Sequence, residues 1–295
     1  MSETGRYEDG HFWYTERQAP DVSLSIRCTH LYGERTPFQR IDFYESDTFG
    51  RFFTLDGLMM LTEKDERHYH EMLVHVPMAV HPDVRRVLIV GGGDGGTARE
   101  LSRYPGIEVI DMVEIDRRVV ELCRVHLPST AGRLDEDPRI RLHYMDGVRF
   151  LREADDDRYD LVLVDSTDPV GPGEGLFSRR FYSDCHRVLG RDGILVNQHE
   201  SPFYPSYSRS MQRSHQRLRD TFPIARVYLF HMPVYPSGMW LFGFASKGPD
   251  PVRDLRPDAL SAQPDFETRY YTPSVHAAAF ALPRFVERQL QEAAG

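Results

Sequence analysis

The feature that most constrains this chain is an alternation that begins near Val84. Apolar runs of strand length at 87–90, 109–113, 140–144, 161–164 and 194–196 are separated by helix-like stretches at 97–103, 117–126, 147–153 and 177–189. Consecutive parallel strands need a crossover, usually a helix, so this rhythm predicts an α/β fold with helices on both faces of a parallel sheet. The later runs 226–230 and 239–245 flank Tyr235-Pro-Ser-Gly and predict a closing antiparallel hairpin. Ahead of residue 62 the language differs. Short alternating segments such as Ser23-Leu-Ser-Ile-Arg-Cys and Arg40-Ile-Asp-Phe-Tyr are punctuated by Gly33, Gly50 and Asp56-Gly57, which reads as hairpins. An amphipathic stretch over 63–80 predicts a helix that ends before His81-Pro82. The expected division is a small antiparallel β domain over 1–62 and the α/β domain over 63–295.

Ligands on such sheets bind beyond the carboxyl ends of the strands, so the residues that follow each strand are the site candidates. Gly91-Gly-Gly-Asp94-Gly-Gly96 follows the first and contains G-x-G-x-x-G between a strand and a helix, a placement that suits a nucleotide or nucleoside. Asp94 puts a negative charge in a turn that ordinarily receives anions. Glu114 stands about 20 positions beyond the turn, where a carboxylate commonly takes ribose hydroxyls. Asp116 is the better candidate for capping the helix after it. Asp146-Gly147 follows the third strand and fits either an adenine contact or another helix cap. Asp165-Ser166-Thr167-Asp168 leaves the fourth strand with two carboxylates three residues apart. The Gly/Pro-rich stretch after it reads as a loop able to cover a site. Such a pair can bind a metal, act as acid and base, or hold a cation. Gln198 follows the fifth strand as a hydrogen-bonder, and His199 and Glu200 read as solvated loop residues.

Composition closes several routes. Acidic residues outnumber Lys and Arg by 45 to 36, for a net charge of −9, which disfavours general nucleic-acid binding. No apolar run approaches the roughly 20 residues that cross a bilayer. MSETGRYEDG has neither the basic region nor the apolar core of a signal peptide. Three scattered cysteines, Cys28, Cys123 and Cys185, suit a reducing cytoplasm. His68, His70, Glu71 and His75 mimic zinc spacing, but Val74 stands where H-E-x-x-H needs its second His, so no metal is expected.

Taken in order, Phe38-Gln-Arg-Ile-Asp, Leu55-Asp-Gly, Thr62-Glu-Lys-Asp-Glu, Tyr69-His-Glu-Met-Leu, the glycine turn, Asp165-Ser-Thr-Asp168-Pro, Tyr235-Pro-Ser-Gly and His276-Ala-Ala-Ala-Phe-Ala-Leu-Pro283 closely resemble the polyamine aminopropyltransferases, the spermidine synthase family. The resemblance spans nearly the whole chain. It implies a small N-terminal β domain before a Rossmann-like, class I methyltransferase-type domain. It also implies transfer of the 3-aminopropyl group of decarboxylated S-adenosylmethionine, a co-substrate rather than a cofactor, to putrescine. Gln39, Asp94, Glu114, Asp146, Gly147 and Pro172 would hold the donor. Tyr69, His70, Asp94, Asp165, Ser166, Thr167, Asp168, Gln198 and Tyr235 would hold the amine, with Asp165 as proton acceptor. The family further implies a homodimer or homotetramer.

Two departures, Met232-Pro-Val234 before Tyr235 and His199-Glu200-Ser201 before Pro202-Phe203, fall near the acceptor region. They leave agmatine, cadaverine or spermidine open as the acceptor. A methyltransferase on the same fold is disfavoured because Asp94 repels the carboxylate that S-adenosylmethionine retains. A non-catalytic polyamine sensor is disfavoured by the intact acidic pair.

Overall fold

The computed structural model describes residues 5–167, 171–259 and 266–292, with residues 171 and 172 described by backbone alone. Strands β1 (Gly5–Glu8), β2 (His11–Ala19) and β3 (Val22–Arg27) form an antiparallel sheet. A second antiparallel sheet holds β4 (Thr29–Arg35), β5 (Arg40–Ser46), β6 (Gly50–Leu55) and β7 (Leu58–Thr62). Asp56 and Gly57 both take positive φ, 48° and 83°, the backbone that a two-residue hairpin between twisted strands requires. They pair Leu55 directly with Leu58.

Helix α1 (Glu66–Met78) leads into the large sheet, whose members are β8 (Arg86–Gly91), β9 (Val109–Glu114), β10 (Ile140–Tyr144), β11 (Tyr159–Asp165), β12 (Leu189–Gln198), β13 (Ile224–His231) and β14 (Met239–Ser246). Their order is β10-β9-β8-β11-β12-β14-β13, parallel through β12 and antiparallel in the closing hairpin. The intervening helices are α2 (Gly96–Ser102), α3 (Arg117–His126), the single turns α4 (Pro128–Ala131) and α5 (Arg133–Glu136), α6 (Gly147–Glu153), α7 (Arg179–Val188) and α8 (Pro205–Thr221). Helices α9 (Pro273–Ala279) and α10 (Arg284–Glu292) follow β14.

The central strands explain the continuous apolar runs. Val87, Ile89, Leu161, Leu163, Ile194 and Val196 point into one core, whereas Leu88, Val90, Val162, Val164 and Leu195 point into another. Both faces of a parallel sheet are covered, so both sets of alternating side chains must be apolar. The first core also takes in Phe43, Phe52, Met59 and Leu61 from the second β sheet and Met72, Leu73 and Val76 from α1. The N-terminal strands are thus packed directly onto the helix that delivers two of the candidate residues, Tyr69 and His70. No helix among the described residues is long and apolar enough to cross a membrane.

Two expectations need correction. Over its described part the Gly/Pro-rich stretch is a 3-10 helix, Gly171–Phe177, rather than a loop, with Leu176 and Phe177 pulled into the second core. His199 and Glu200 are not solvated, since both are buried. The cause is that pairing with β14 continues past Gln198: His199 N–H donates to the Leu241 carbonyl (2.9 Å) and Leu241 N–H donates to that of Glu200 (3.1 Å). Asp155-Asp-Asp157 is exposed.

Candidate functional site

The strand ends converge on a cleft of about 940 Å³, counting its open mouth. It is lined from β8 by Gly91, Gly92, Gly93 and Asp94, from β9 by Glu114, from β10 by Asp146 and Gly147, and from β11 by Asp165, Ser166 and Thr167. Gln39, Tyr69, His70 and Tyr235 complete the wall from outside the sheet. The turn after β8 needs glycine at its first position. Gly91 has φ of 88°, and a Cβ there would lie 2.0 Å from the Asp165 carbonyl oxygen.

At one end sit the groups expected to meet a nucleoside. Glu114 accepts from the Asp116 N–H at 2.9 Å and is 8% exposed. Burial pushes its carboxyl up to about 7, despite that hydrogen bond. Asp116 caps α3 through Arg118 N–H and also accepts from the Gln39 side-chain amide (3.1 Å) and the Thr36 hydroxyl (2.7 Å). Both uses of Asp146 hold geometrically: it caps α6 through Val148 N–H at 2.8 Å, and it lines the cleft.

At the other end the charges are dense. Ligand atoms of His70, Asp94 and Asp165 all lie within 4.8 Å of one another. His70 Nδ1 lies 2.6 Å from Glu66 Oε2 and its Nε2 3.1 Å from Asp94 Oδ1. Burial alone would neutralise the imidazole, but Asp94 and Glu66 raise its pKa to about 10. Burial opposes ionisation of Asp94 too, yet the His70 charge outweighs it and holds the carboxyl below its usual range. Asp165 goes the other way. Burial and the Asp94 charge raise it to about 6, against the His70 charge and hydrogen bonds from the Thr97 hydroxyl (2.6 Å) and Tyr69, which favour the carboxylate. An imidazolium that donates through both nitrogens has no lone pair for a metal.

A smaller cavity opens beside this charged end and shares Met60, Tyr69, Ser166, Thr167 and Tyr235 with the main cleft. Gln198, Glu16, Pro236 and Trp240 line the rest, with Leu58 and Met59. The Tyr69 ring is wedged edge-on against Phe242 (5.0 Å between centroids) and Phe230 (5.7 Å), and the Tyr235 hydroxyl donates to the Met60 carbonyl at 2.5 Å. The structure therefore brings together every candidate residue it describes. Asp168 lies outside the described residues, as does the side chain of Pro172.

Residues 66–254 match the spermine/spermidine synthase domain and residues 12–63 the spermidine synthase tetramerisation domain. A polyamine aminopropyltransferase of Clostridium acetobutylicum is 56% identical over 281 residues, covering 95% of this chain and 98% of that protein. One from Alkaliphilus oremlandii is 55% identical with the same coverage. The chain belongs to the spermine/spermidine synthase family. It is accordingly an enzyme, a polyamine aminopropyltransferase. The fold agrees: a spermidine synthase solved with the transition-state analogue AdoDATO superposes with a TM-score of 0.91 at 41% identity, over 95% of each chain. The spermidine synthase of Thermotoga maritima superposes at 0.89 with 40% identity, over 95% of this chain and 94% of that one.

Four further residues of this family member touch the site and were not picked out from sequence. Glu66 stands one helical turn before His70, and i,i+4 spacing was the available signal. Thr97 directly follows the glycine turn and bonds the Asp165 carboxylate. Glu16 and Trp240 reach the smaller cavity from β2 and β14, and no local pattern marks either. The four residues of the zinc-like run part company. His68 turns to the His231 carbonyl, Glu71 accepts from the backbone N–H groups of 269–271, and His75 meets Tyr104 and Glu100, leaving only His70 in the cleft.

Proposed function

We propose that the cleft transfers the 3-aminopropyl group of decarboxylated S-adenosylmethionine to putrescine, giving spermidine and methylthioadenosine. One observation carries the choice of donor. The glycine turn at the head of α2, which would favour an anion, holds a buried, ionised Asp94 instead. That sign repels the carboxylate of S-adenosylmethionine and attracts the ammonium tail of its decarboxylated form.

In this reading Glu114 takes the ribose hydroxyls, and Gln39, Asp146, Gly147 and Pro172 seat the rest of the nucleoside. The acceptor lies in the smaller cavity between Tyr69, Tyr235, Gln198 and Trp240, with Asp165, Ser166 and Thr167 around its reacting nitrogen, and Asp168 is assigned to the amine by the family motif alone. Glu16 is placed to take a second ammonium, which favours a diamine. An alkyl ammonium has a pKa near ~10.4, so it arrives protonated. Asp165 removes the proton once water is excluded. The free amine then attacks the propyl carbon on sulfur, the C–S bond breaks, and its electron pair leaves sulfur as a neutral thioether. No metal or cofactor enters this step.

Asp165→Asn is expected to lower kcat by about 10²–10⁴-fold, the usual worth of a general base, with methylthioadenosine binding intact by calorimetry. Undiminished turnover would sink the base. Steady-state assays with putrescine, agmatine, cadaverine and spermidine decide the acceptor, and a higher kcat/KM for any of the last three would replace putrescine. The free thiols of Cys28, Cys123 and Cys185 fit the cytoplasm, where we place the enzyme.

A further inference from the structure

We propose that Glu66 is a positioning residue for donor selectivity: through His70 it fixes Asp94, the carboxylate that distinguishes the decarboxylated tail from an intact amino acid. This rests on the cleft being the donor site proposed above. Glu66 is buried on the first turn of α1 and does not itself line the cleft, which it reaches only through His70. Its Oε2 meets His70 Nδ1 at 2.6 Å and accepts from Arg99 Nη2 at 2.7 Å, while Oε1 lies 3.0 Å from Arg67 Nε. Held from behind, the His70 ring presents Nε2–H to Asp94 Oδ1 at 3.1 Å. The same oxygen accepts from Gly96 N–H at 2.8 Å. Two donors on Oδ1 set the plane of the Asp94 carboxylate and leave Oδ2 for a ligand ammonium.

The space for this relay is also built in. A Cβ on Gly96 would stand 2.2–2.5 Å from three atoms of the His70 imidazole. The last glycine of the turn therefore makes room for the ring that orients the aspartate.

In Glu66→Gln the side chain keeps its size and an oxygen for Nδ1–H, but the negative charge behind the ring is gone. Whichever nitrogen of the ring then carries the proton, the charged anchor shared by His70 Nδ1 and Arg99 Nη2 is gone, so the ring holds Asp94 Oδ1 less firmly and the carboxylate keeps only its bond from Gly96 N–H. Methylthioadenosine fills the nucleoside end but lacks the aminopropyl chain, so it serves as an internal control for damage to the fold.

The test is calorimetry on the full-length enzyme with methylthioadenosine, decarboxylated S-adenosylmethionine and S-adenosylmethionine. Glu66→Gln is expected to weaken the decarboxylated donor by about tenfold or more, the scale of one hydrogen bond to a charged group. Methylthioadenosine should stay within about twofold, the spread expected of an untouched site, and discrimination against S-adenosylmethionine should fall. Equal weakening of methylthioadenosine and the decarboxylated donor, or no weakening of either, overturns the proposal. Gly96→Ala, which displaces the ring and leaves every charge in place, should give the same split. If Glu66→Gln does not fold, that variant decides. Asp94→Asn run alongside separates two failures. If it loses selectivity and Glu66→Gln does not, the relay is wrong; if neither does, the donor reading itself is wrong.

Discussion

A carboxylate that takes a proton from an ammonium must be ionised in the resting site yet basic enough to accept. Asp165, raised to about 6 by burial and the neighbouring Asp94 charge, meets both demands near neutrality. In the base role proposed for Asp165 the active form is the carboxylate, so kcat/KM for the amine at saturating donor should fall as pH drops below about 6 and level off above it. The Thr97 hydroxyl stabilises that carboxylate, so Thr97→Val should move the acid limb to higher pH and Thr97→Ser should restore it. A pH–rate profile of the three proteins checks this, and superimposable limbs would remove Thr97 from the mechanism. Glu114 gives a second pH signature. In its proposed role Glu114 accepts from ribose hydroxyls in its ionised form, so methylthioadenosine should bind more weakly as pH falls through about 7 and reach a plateau above it. Titration calorimetry from pH 5.5 to 8.5 measures the slope; affinity that is flat across pH 7 would take Glu114 away from the ribose.

At the scale of elements, the joint between α1 and the C-terminal segment is open to test. Glu71, wholly buried on α1, accepts from the N–H groups of Arg269, Tyr270 and Tyr271 at 2.8–3.1 Å. Glu71→Ala leaves three donors without an acceptor and should destabilise the fold by about 2–4 kcal/mol, read as a lower denaturation midpoint. A loss below ~0.5 kcal/mol, the surface-substitution scale, would mean that water replaces the carboxylate at no cost.

Elements with a strong period were legible. The five apolar runs became β8 to β12, and Arg117–His126 and Gly147–Glu153 are helices with those bounds. Asp56-Gly57 announced its hairpin because few other pairs tolerate two positive φ values. Helix α8 gave no such signal: it buries Ser208, Ser214 and His215 beside only Met211 and Leu218, so no apolar stripe recurs along it. The burial of His199 and Glu200 was illegible for a related reason. It is imposed by pairing with β14, more than 40 residues downstream, and not by anything beside them.

For the whole molecule, the cleft joins segments that are distant in sequence. Among the site residues, those that follow strands were legible because topology alone brings strand ends together. Glu16 was not, since only the packing of the N-terminal sheets carries it there. The match of residues 12–63 to a tetramerisation domain supports an assembly of several copies, and we propose a homotetramer with a homodimer as the alternative. Native mass spectrometry at micromolar concentration is the measurement, and a monomer alone would exclude both.

The β11 end of the cleft and the closing hairpin also differ in when they leave the ribosome. Every residue that lines the main cleft except Tyr235 lies at or before Leu176, whereas the smaller cavity waits for Gln198, Tyr235, Pro236 and Trp240. At about 5–20 residues per second, the residues of the donor wall are synthesised several seconds before the acceptor wall can close. A growing chain thus has the residues of the proposed donor pocket before those of the proposed acceptor cavity.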